Sequence, residues 1–468
     1  MDGLAYAYQL PRSVAQEKYM QERRAAIIEQ RKQLSAGVNP DPDLERMLTG
    51  TTLTTSGAEG VYTHSRVNSS YGDMEHSRTS SSTSSSQSEA AHHSLLNQPF
   101  ELRHGRRYLR ELPYPLPVDL HELQRQNLRT LLSCRVFGKA VCCPSIENDV
   151  PKRVLEIGSG SAYWTTMCHE YFSSLGHKNV SFTGLDVAPL APDLKKQGIN
   201  WTFVQHDLRR IPFPFDDERF DLVMLKDMSL VMPLGMTSQK FIDESIRILR
   251  PGGILEIWET DHVVRSLASR PAVPTQNQSE LKAAARSGTF VVSPGTPFAP
   301  AQNKYLQQAN TWISEALDRR KLPPAPCARI APVLHQEADT LTKFGARRVA
   351  VPLGELRWER DGSKHGRSPS NPHDSVIMPS KGKGKMTDPV PAGLTADQAA
   401  LRHVALLTVL QMIENLEPIL KEASGKNTEE WSHWWGLMMS DLLDPAKSNL
   451  GGECLEVGAW WATKIADE

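Results

Sequence analysis

Between Lys152 and Val264, short apolar runs alternate with mixed ones. KRVLEI, VSFTGLDV, NWTFVQHD, RFDLVMLKD and GILEIWETD are brief, rich in β-branched residues and bounded by turn formers, and they predict strands. SAYWTTMCHEYFSSLG, DLKKQG and SQKFIDESIRILR have helical spacing between them. The last of these stops at Pro251-Gly252-Gly253, read as a tight turn into the fifth strand. Alternation at this spacing predicts βαβ units, hence an α/β fold with a mostly parallel sheet and helices on both faces.

The flanks carry weaker patterns. Order is expected from about Pro99, with an extended, proline-punctuated piece and then a helix from Asp119. Asp119 is a good N-cap with Glu122 as its capping-box partner, and Leu120, Leu123, Leu128, Leu131 and Leu132 supply the side to be buried. Downstream, NKYLQQANTWISEALDRR and RIAPVLHQEADTLTKFG predict helices, the second capped by Gly345 before a strand ARRVAVPLG. LTADQAALRHVALLTVLQMIENLEPILKEA reads as one amphipathic helix, another follows around Trp431–Leu443, and CLEVGAWWATKI reads as a closing strand. These helices form a cap over the sheet. No internal repeat is evident.

The N-terminal region, 1–97, is expected to be disordered apart from one helix near 13–34, where Tyr19, Met20, Ala26, Ile27 and Ile28 make a thin apolar stripe. That helix is either partner-seeking or a surface helix that frays. The run Ser80-Ser81-Ser82-Thr83-Ser84-Ser85-Ser86 cannot bury enough apolar surface to offset its ordering entropy. Residues 361–393 read as a low-complexity insertion, leaving 98–360 and 394–468 as one domain.

Composition fits one long domain with polar extensions. Of 468 residues 39% are hydrophobic, and the mean hydropathy is −0.41. With 53 Lys+Arg against 54 Asp+Glu the net charge is −1, which argues against a globally basic nucleic-acid binder. Six cysteines without C-x-x-C or zinc spacing point to neither a disulfide scaffold nor a metal site. No apolar run reaches membrane-spanning length and the first twenty residues lack a signal-peptide pattern, so an intracellular protein, cytoplasmic or nuclear, is expected.

Candidate chemistry lies at Glu156-Ile157-Gly158-Ser159-Gly160-Ser161-Ala162, where a buried strand ends in an acid, a glycine turn and a helix N-terminus. NAD, FAD and S-adenosylmethionine (SAM) sites all use variants of this turn. Asp186 is placed at an exposed second-strand end, where its carboxylate can accept from both ribose hydroxyls, and Asp207 at the third-strand end, where it can accept from the adenine amine.

ExGxGxA, LDV, HD, FDLVMLKD and LRPGG, in this order, resemble class I SAM-dependent methyltransferases from about Arg153 to Asp261. The flanking GRRY, YPLPVDLHELQRQNL, EIWETD and Pro352-Leu353-Gly354-Glu355-Leu356-Arg357-Trp358 resemble the fungal LaeA/UMTA-type methyltransferase group, with one extra residue before Trp358. The resemblance implies a Rossmann-like fold and SAM as cofactor. It implies a cofactor site of Glu156, Gly158, Ser159, Gly160, Asp186, Val187, Asp207, Leu208 and Lys226, the last through its backbone, and no metal. It also implies a methyl acceptor, small molecule or protein, left unidentified, and a link to secondary metabolism. Ala162 stands where a third glycine is frequent. Ser161 is a further donor candidate, Arg106, Arg107 and Tyr108 are candidates to fold over the cofactor carboxylate, and His206, Asp227, Glu259 and His262 are candidate bases, with no single base named. A catalytically quiet SAM-binding regulator with protein partners is the alternative from another class. An NAD-dependent oxidoreductase is a third.

Overall fold

The computed structural model describes residues 95–271, 278–360, 394–444 and 450–466, together with scattered helical positions between 18 and 32. Most of the expected disordered segment 1–97 and the insertion 361–393 lie outside the described residues.

The parallel core forms where the apolar runs predicted it: β3 Arg153–Ile157, β4 Ser181–Asp186, β5 Asn200–Gln205, β6 Phe220–Lys226 and β7 Leu249–Thr260, preceded by the hairpin β1 Phe100–Arg103 and β2 Arg106–Leu109. Their order across the sheet is β7-β6-β3-β4-β5, all parallel. Consecutive strands run outward from β3 in one direction and then jump back to its other side. The strand order therefore reverses at β3, and such a reversal opens a crevice above the carboxyl ends of the strands. The fold is Rossmann-like α/β. Helices α1 Leu120–Phe137, α2 Tyr163–Ser174 and α3 Met236–Arg247 belong to this half. β3 shows how the strands serve two cores: Val154 packs into one, while Leu155 and Ile157 pack into the other on the opposite face.

Beyond β7 the sheet turns antiparallel. It continues through β12 Glu453–Lys464 to β8 Arg265–Leu267 and β10 Phe298–Pro300, and β11 Leu341–Pro352 also pairs with β12 and carries β9 Phe290–Val291. α4 Gln278–Ser287, α5 Lys304–Asp318, α6 Ile330–His335, α7 Ala396–Asn415, α8 Glu417–Ser424 and α9 Thr428–Leu443 complete the cap.

Four expectations change. Leu249-Arg250-Pro251-Gly252-Gly253 belongs to β7 rather than preceding it, and its turn survives as a bulge: β7 advances from Leu249 to Ile254 while β6 advances from Phe220 to Leu222, with Gly252 at φ +73°. The helix expected across Arg329–Gly345 shortens to α6, because from Leu341 the chain gains a full ladder on β12. Gly345 is thus a strand residue, and a Cβ there would sit 2.3 Å from the Trp461 ring. The single long helix from Ala396 breaks at Leu416, one residue before the turn that carries Pro418. Finally, α1 buries a polar face. Asp119 caps it by accepting from the Glu122 amide, but Leu120 is 70% exposed while Glu122, Arg125 and Arg129 are buried.

Candidate active site

The crevice above β3 is a cleft of about 1060 Å³, counting its open mouth. Its floor is the turn after β3. Gly158 and Gly160 take left-handed φ values of +67° and +49°, and a Cβ on Gly158 would meet the Met228 sulfur at 2.8 Å. The Gly158 amide donates to the Leu185 carbonyl at 2.8 Å, which ties the turn to β4. Ala162 begins α2 in the same left-handed region, φ +54°, fully buried, with its amide on the Ser159 carbonyl. Its methyl is accommodated, although that backbone region disfavours a side chain.

All nine residues assigned to the cofactor from sequence line this cleft: Glu156, Gly158, Ser159, Gly160, Asp186, Val187, Asp207, Leu208 and Lys226. Their surroundings differ from expectation at two carboxylates. Asp186 is half-buried rather than exposed. It accepts from the Gly160 amide at 2.8 Å and the Ala188 amide at 3.3 Å, so it holds the glycine turn in shape, and burial raises its pKa above the usual carboxylate value. Asp207 is buried, and Arg209 covers both of its oxygens, at 2.7 to 3.2 Å. Glu156 is buried, accepts from Thr165 Oγ1 at 2.7 Å, and is raised by desolvation to a pKa of about 7. Ser161 donates to Asn127.

The roof is α1, which pattern reading assigned to packing. Glu122 is fully buried and gathers Arg125 in a two-point pair at 2.6 and 2.7 Å, Gln126 at 2.9 Å and Asn415 of α7 at 2.5 Å. Arg125 lines the cleft, and its Nη1 is buried without a partner among the described residues. The same holds for Ser159 Oγ on the floor. One turn on, Arg129 pairs with Asp227, which also accepts from Lys226 Nζ at 2.6 Å. Burial pushes the Asp227 pKa up, but Arg129 and Lys226 more than offset it and hold the carboxyl below its usual range. Charged residues at i, i+3 and i+7 on one helix face are the only sequence trace of this roof, and on their own they read as a solvated face.

The other candidates lie away from the cleft. Arg106 clamps Asp119 at 2.7 Å and reaches Asn415 at 2.6 Å, and Arg107 donates to the Val118 carbonyl, so neither is among the residues lining the cleft. Tyr108 is buried on β2. His206 faces the Arg210 carbonyl at 3.0 Å and packs on Phe213. Glu259 and His262 sit behind Asp227, joined through Ser229. Trp258, Trp431, Trp434 and Trp460 are buried in the core and cap packing. Among the described residues Asp261, Cys327 and Glu456 approach one another closely, but Arg265 and Arg348 already neutralise Glu456, a poor setting for a cation.

Residues 154–253 match the family described as Methyltransferase domain. The chain is 26% identical over 152 residues to methyltransferase str2 of Strobilurus tenacellus, covering 32% of this chain and 50% of that protein. It is 30% identical over 125 residues to methyltransferase str3 of the same fungus, covering 26% and 41%. To phthiotriol/phenolphthiotriol dimycocerosates methyltransferase 1 of Mycobacterium ulcerans (strain Agy99) it is 34% identical over 116 residues, covering 22% and 36%. The chain thus spans half or less of the length of these relatives. The family match falls on the parallel half of the sheet, and these relatives are methyltransferases by name.

Proposed function

We propose that the chain is a SAM-dependent methyltransferase whose cofactor lies in the cleft above β3, acting on an acceptor still to be identified. One observation carries the reading: nine residues chosen from sequence converge on one cleft, and two buried donors in it, Ser159 Oγ and Arg125 Nη1, have no protein partner among the described residues. Native structures rarely leave such atoms unpaired without a ligand or water to satisfy them.

The residues fit the group. Ser159 and Arg125 suit a carboxylate, which accepts several hydrogen bonds. Asp186 has lone pairs left beyond its two amide bonds, and these suit a pair of ribose hydroxyls. Glu156, with a pKa of about 7, gains ionised character when a cation approaches it. Asp207 fits least well, because Arg209 must yield before an adenine amine can reach it. Bound SAM supplies an electrophilic methyl group, and the chain's residues hold, orient and desolvate. Membership of the fungal LaeA/UMTA-type group is part of the proposal, supported by the flanking motifs alone. A link to secondary metabolism, and an acceptor that is a small molecule or a protein, rest on the same resemblance. The quiet regulator would bind the same cofactor, and nothing in the cleft favours it.

Titration calorimetry with S-adenosylhomocysteine and with NAD tests the reading. Saturable binding of the first and none of the second is expected; the reverse would sink it. Release of S-adenosylhomocysteine from SAM on adding cell extract would then separate enzyme from regulator.

A further inference from the structure

Tyr114 lines the cleft between Pro113 and Pro115. The residue before a proline is confined to extended backbone, and the Tyr114 ring packs between the main core and the small cluster around Val187. The phenol is thus carried to the cleft wall on a stiff stretch of chain, with little rotamer freedom left to lose. Tyr108, the tyrosine singled out by sequence for the cofactor carboxylate, is not among the residues lining the cleft.

The hydroxyl of Tyr114 has a defined role toward its neighbour. Gln126 Nε2 donates to Glu122 Oε1 at 2.9 Å and to Tyr114 Oη at 3.0 Å, which uses both of its protons. The reverse setting of that amide would place its oxygen against the Glu122 carboxylate, so charge fixes the orientation. Tyr114 Oη is an acceptor in this contact, and its own proton has no acceptor among the described residues. Burial, and then the Glu122 carboxylate, push the phenol pKa well above its usual value, so the proton stays on.

That proton belongs to the end of the cleft built to take an anion. Arg125 Nη2 and Gln126 Nε2 share one oxygen, Glu122 Oε1, while Gln126 Oε1 stands 3.3 Å from where a Cβ on Gly160 would lie. The Tyr114 hydroxyl and the unpartnered Arg125 Nη1 are thereby gathered over the glycine turn. The cations Arg125, Arg129 and Lys226 outnumber the anions Glu122 and Asp227, and with Glu156 half ionised near pH 7 the balance stays positive.

We infer that Tyr114 makes the cleft selective for the methionine carboxylate of the cofactor, its hydroxyl donating to that group beside Arg125 Nη1. The inference rests on the cofactor reading of this cleft. A ligand without an anionic group would leave both donors unpaired.

Calorimetry with S-adenosylhomocysteine and with S-adenosyl-3-thiopropylamine, the same molecule without its carboxylate, isolates the contact. The wild type is expected to prefer the first by about 100-fold. Tyr114→Phe keeps the ring and its packing. It should cut that preference about tenfold by weakening S-adenosylhomocysteine, with the decarboxylated ligand held within about twofold of wild type. Gln126→Leu, which keeps the hydroxyl but frees its orientation, should cut the preference about threefold, and it serves if the first variant does not fold. Equal wild-type affinity for the two ligands overturns the inference. So does a preference unchanged within twofold in the variants, as for a hydroxyl that serves the methyl acceptor, or an equal fall for both ligands, as for a ring that only packs. Failure of S-adenosylhomocysteine to bind the wild type at all instead sinks the cofactor reading, and this inference with it.

Discussion

The floor and the roof of the cleft were built by different physics. The floor is a backbone device: positive-φ glycines after β3, an amide tied to β4, and acids at successive strand ends. The roof is a side-chain device: Glu122, Arg125 and Arg129 buried on one face of α1 and tied to α7 through Asn415. Floor chemistry is local in sequence, because turn geometry restricts which residues can stand there. Roof chemistry depends on partners hundreds of positions away, since Glu122 and Asn415 meet only in the fold. The floor should therefore act mainly on ligand affinity, whereas Glu122 on the roof acts mainly on stability and reaches the ligand only through Arg125 and, by way of Gln126, Tyr114.

The largest effect should come from the roof. Glu122→Ala removes the anion shared by Arg125, Gln126 and Asn415 and leaves a guanidinium buried without a counter-charge. Breaking one partner of such a pair costs about 3–5 kcal/mol. Urea denaturation should show a loss of that size. A loss under 1 kcal/mol would mean that the roof is solvated and that the contrast between the two regions is false.

On the floor, Asp186→Ala should weaken S-adenosylhomocysteine binding by about 2–3 kcal/mol, on the order of 30- to 150-fold. Stability is affected too, contrary to the expectation of an exposed strand end: the Gly160 amide loses its acceptor, which costs about 1 kcal/mol in the free protein. Calorimetry and apo melts read the two halves separately. Affinity within threefold of wild type would remove Asp186 from the ribose.

What the sequence disclosed follows the same division. β3 to β7 were legible because buried parallel strands are short apolar runs, and the nine cofactor candidates because they follow strand ends. Glu122 was legible only as a capping-box residue; its carboxylate turned instead to Arg125 and Asn415, a choice made by tertiary contact. Gly345 misled for a related reason. A glycine after an amphipathic run signals a helix end, yet here it makes room for Trp461 inside β11. The antiparallel half was hard to read because its strands pair with β12, more than a hundred residues beyond β11.

Glu156 sharpens the contrast through pH. Its folded pKa of about 7 lies above the ordinary 4.5, so the folded state holds the proton more tightly than the unfolded chain. Its contribution to stability is complete below about pH 4.5 and is lost as pH rises through about 7, a change of about 3 kcal/mol. Glu156→Gln should flatten the stability curve over that window and leave the variant more stable than wild type at pH 8. A curve with unchanged slope would show that the carboxyl titrates normally. Wild-type binding of SAM near pH 7 should also release protons, measurable from calorimetry in buffers of different ionisation enthalpy.

The smallest expected effect concerns Arg209, where the floor borrows the roof's kind of interaction. Asp207 has Arg209 across both oxygens, yet the Arg209 side chain is 36% exposed, so the pair is only partly desolvated. An adenine amine that reaches Asp207 must displace that guanidinium or share an oxygen with it. Arg209→Ala removes the competitor and keeps the Asp207 carboxylate anchored by the backbone amide of residue 209, 3.0 Å away. Free-protein stability should fall by about 1 kcal/mol or less, as for a partly exposed pair. S-adenosylhomocysteine affinity should rise about 3- to 10-fold, since the ligand no longer has to break an existing ion pair. Adenosine, titrated alone, should gain by the same factor, while methionine should gain nothing. A fall of tenfold or more for both S-adenosylhomocysteine and adenosine would mean that Arg209 itself grips the ligand, and the adenine assignment would then move from Asp207 to its partner.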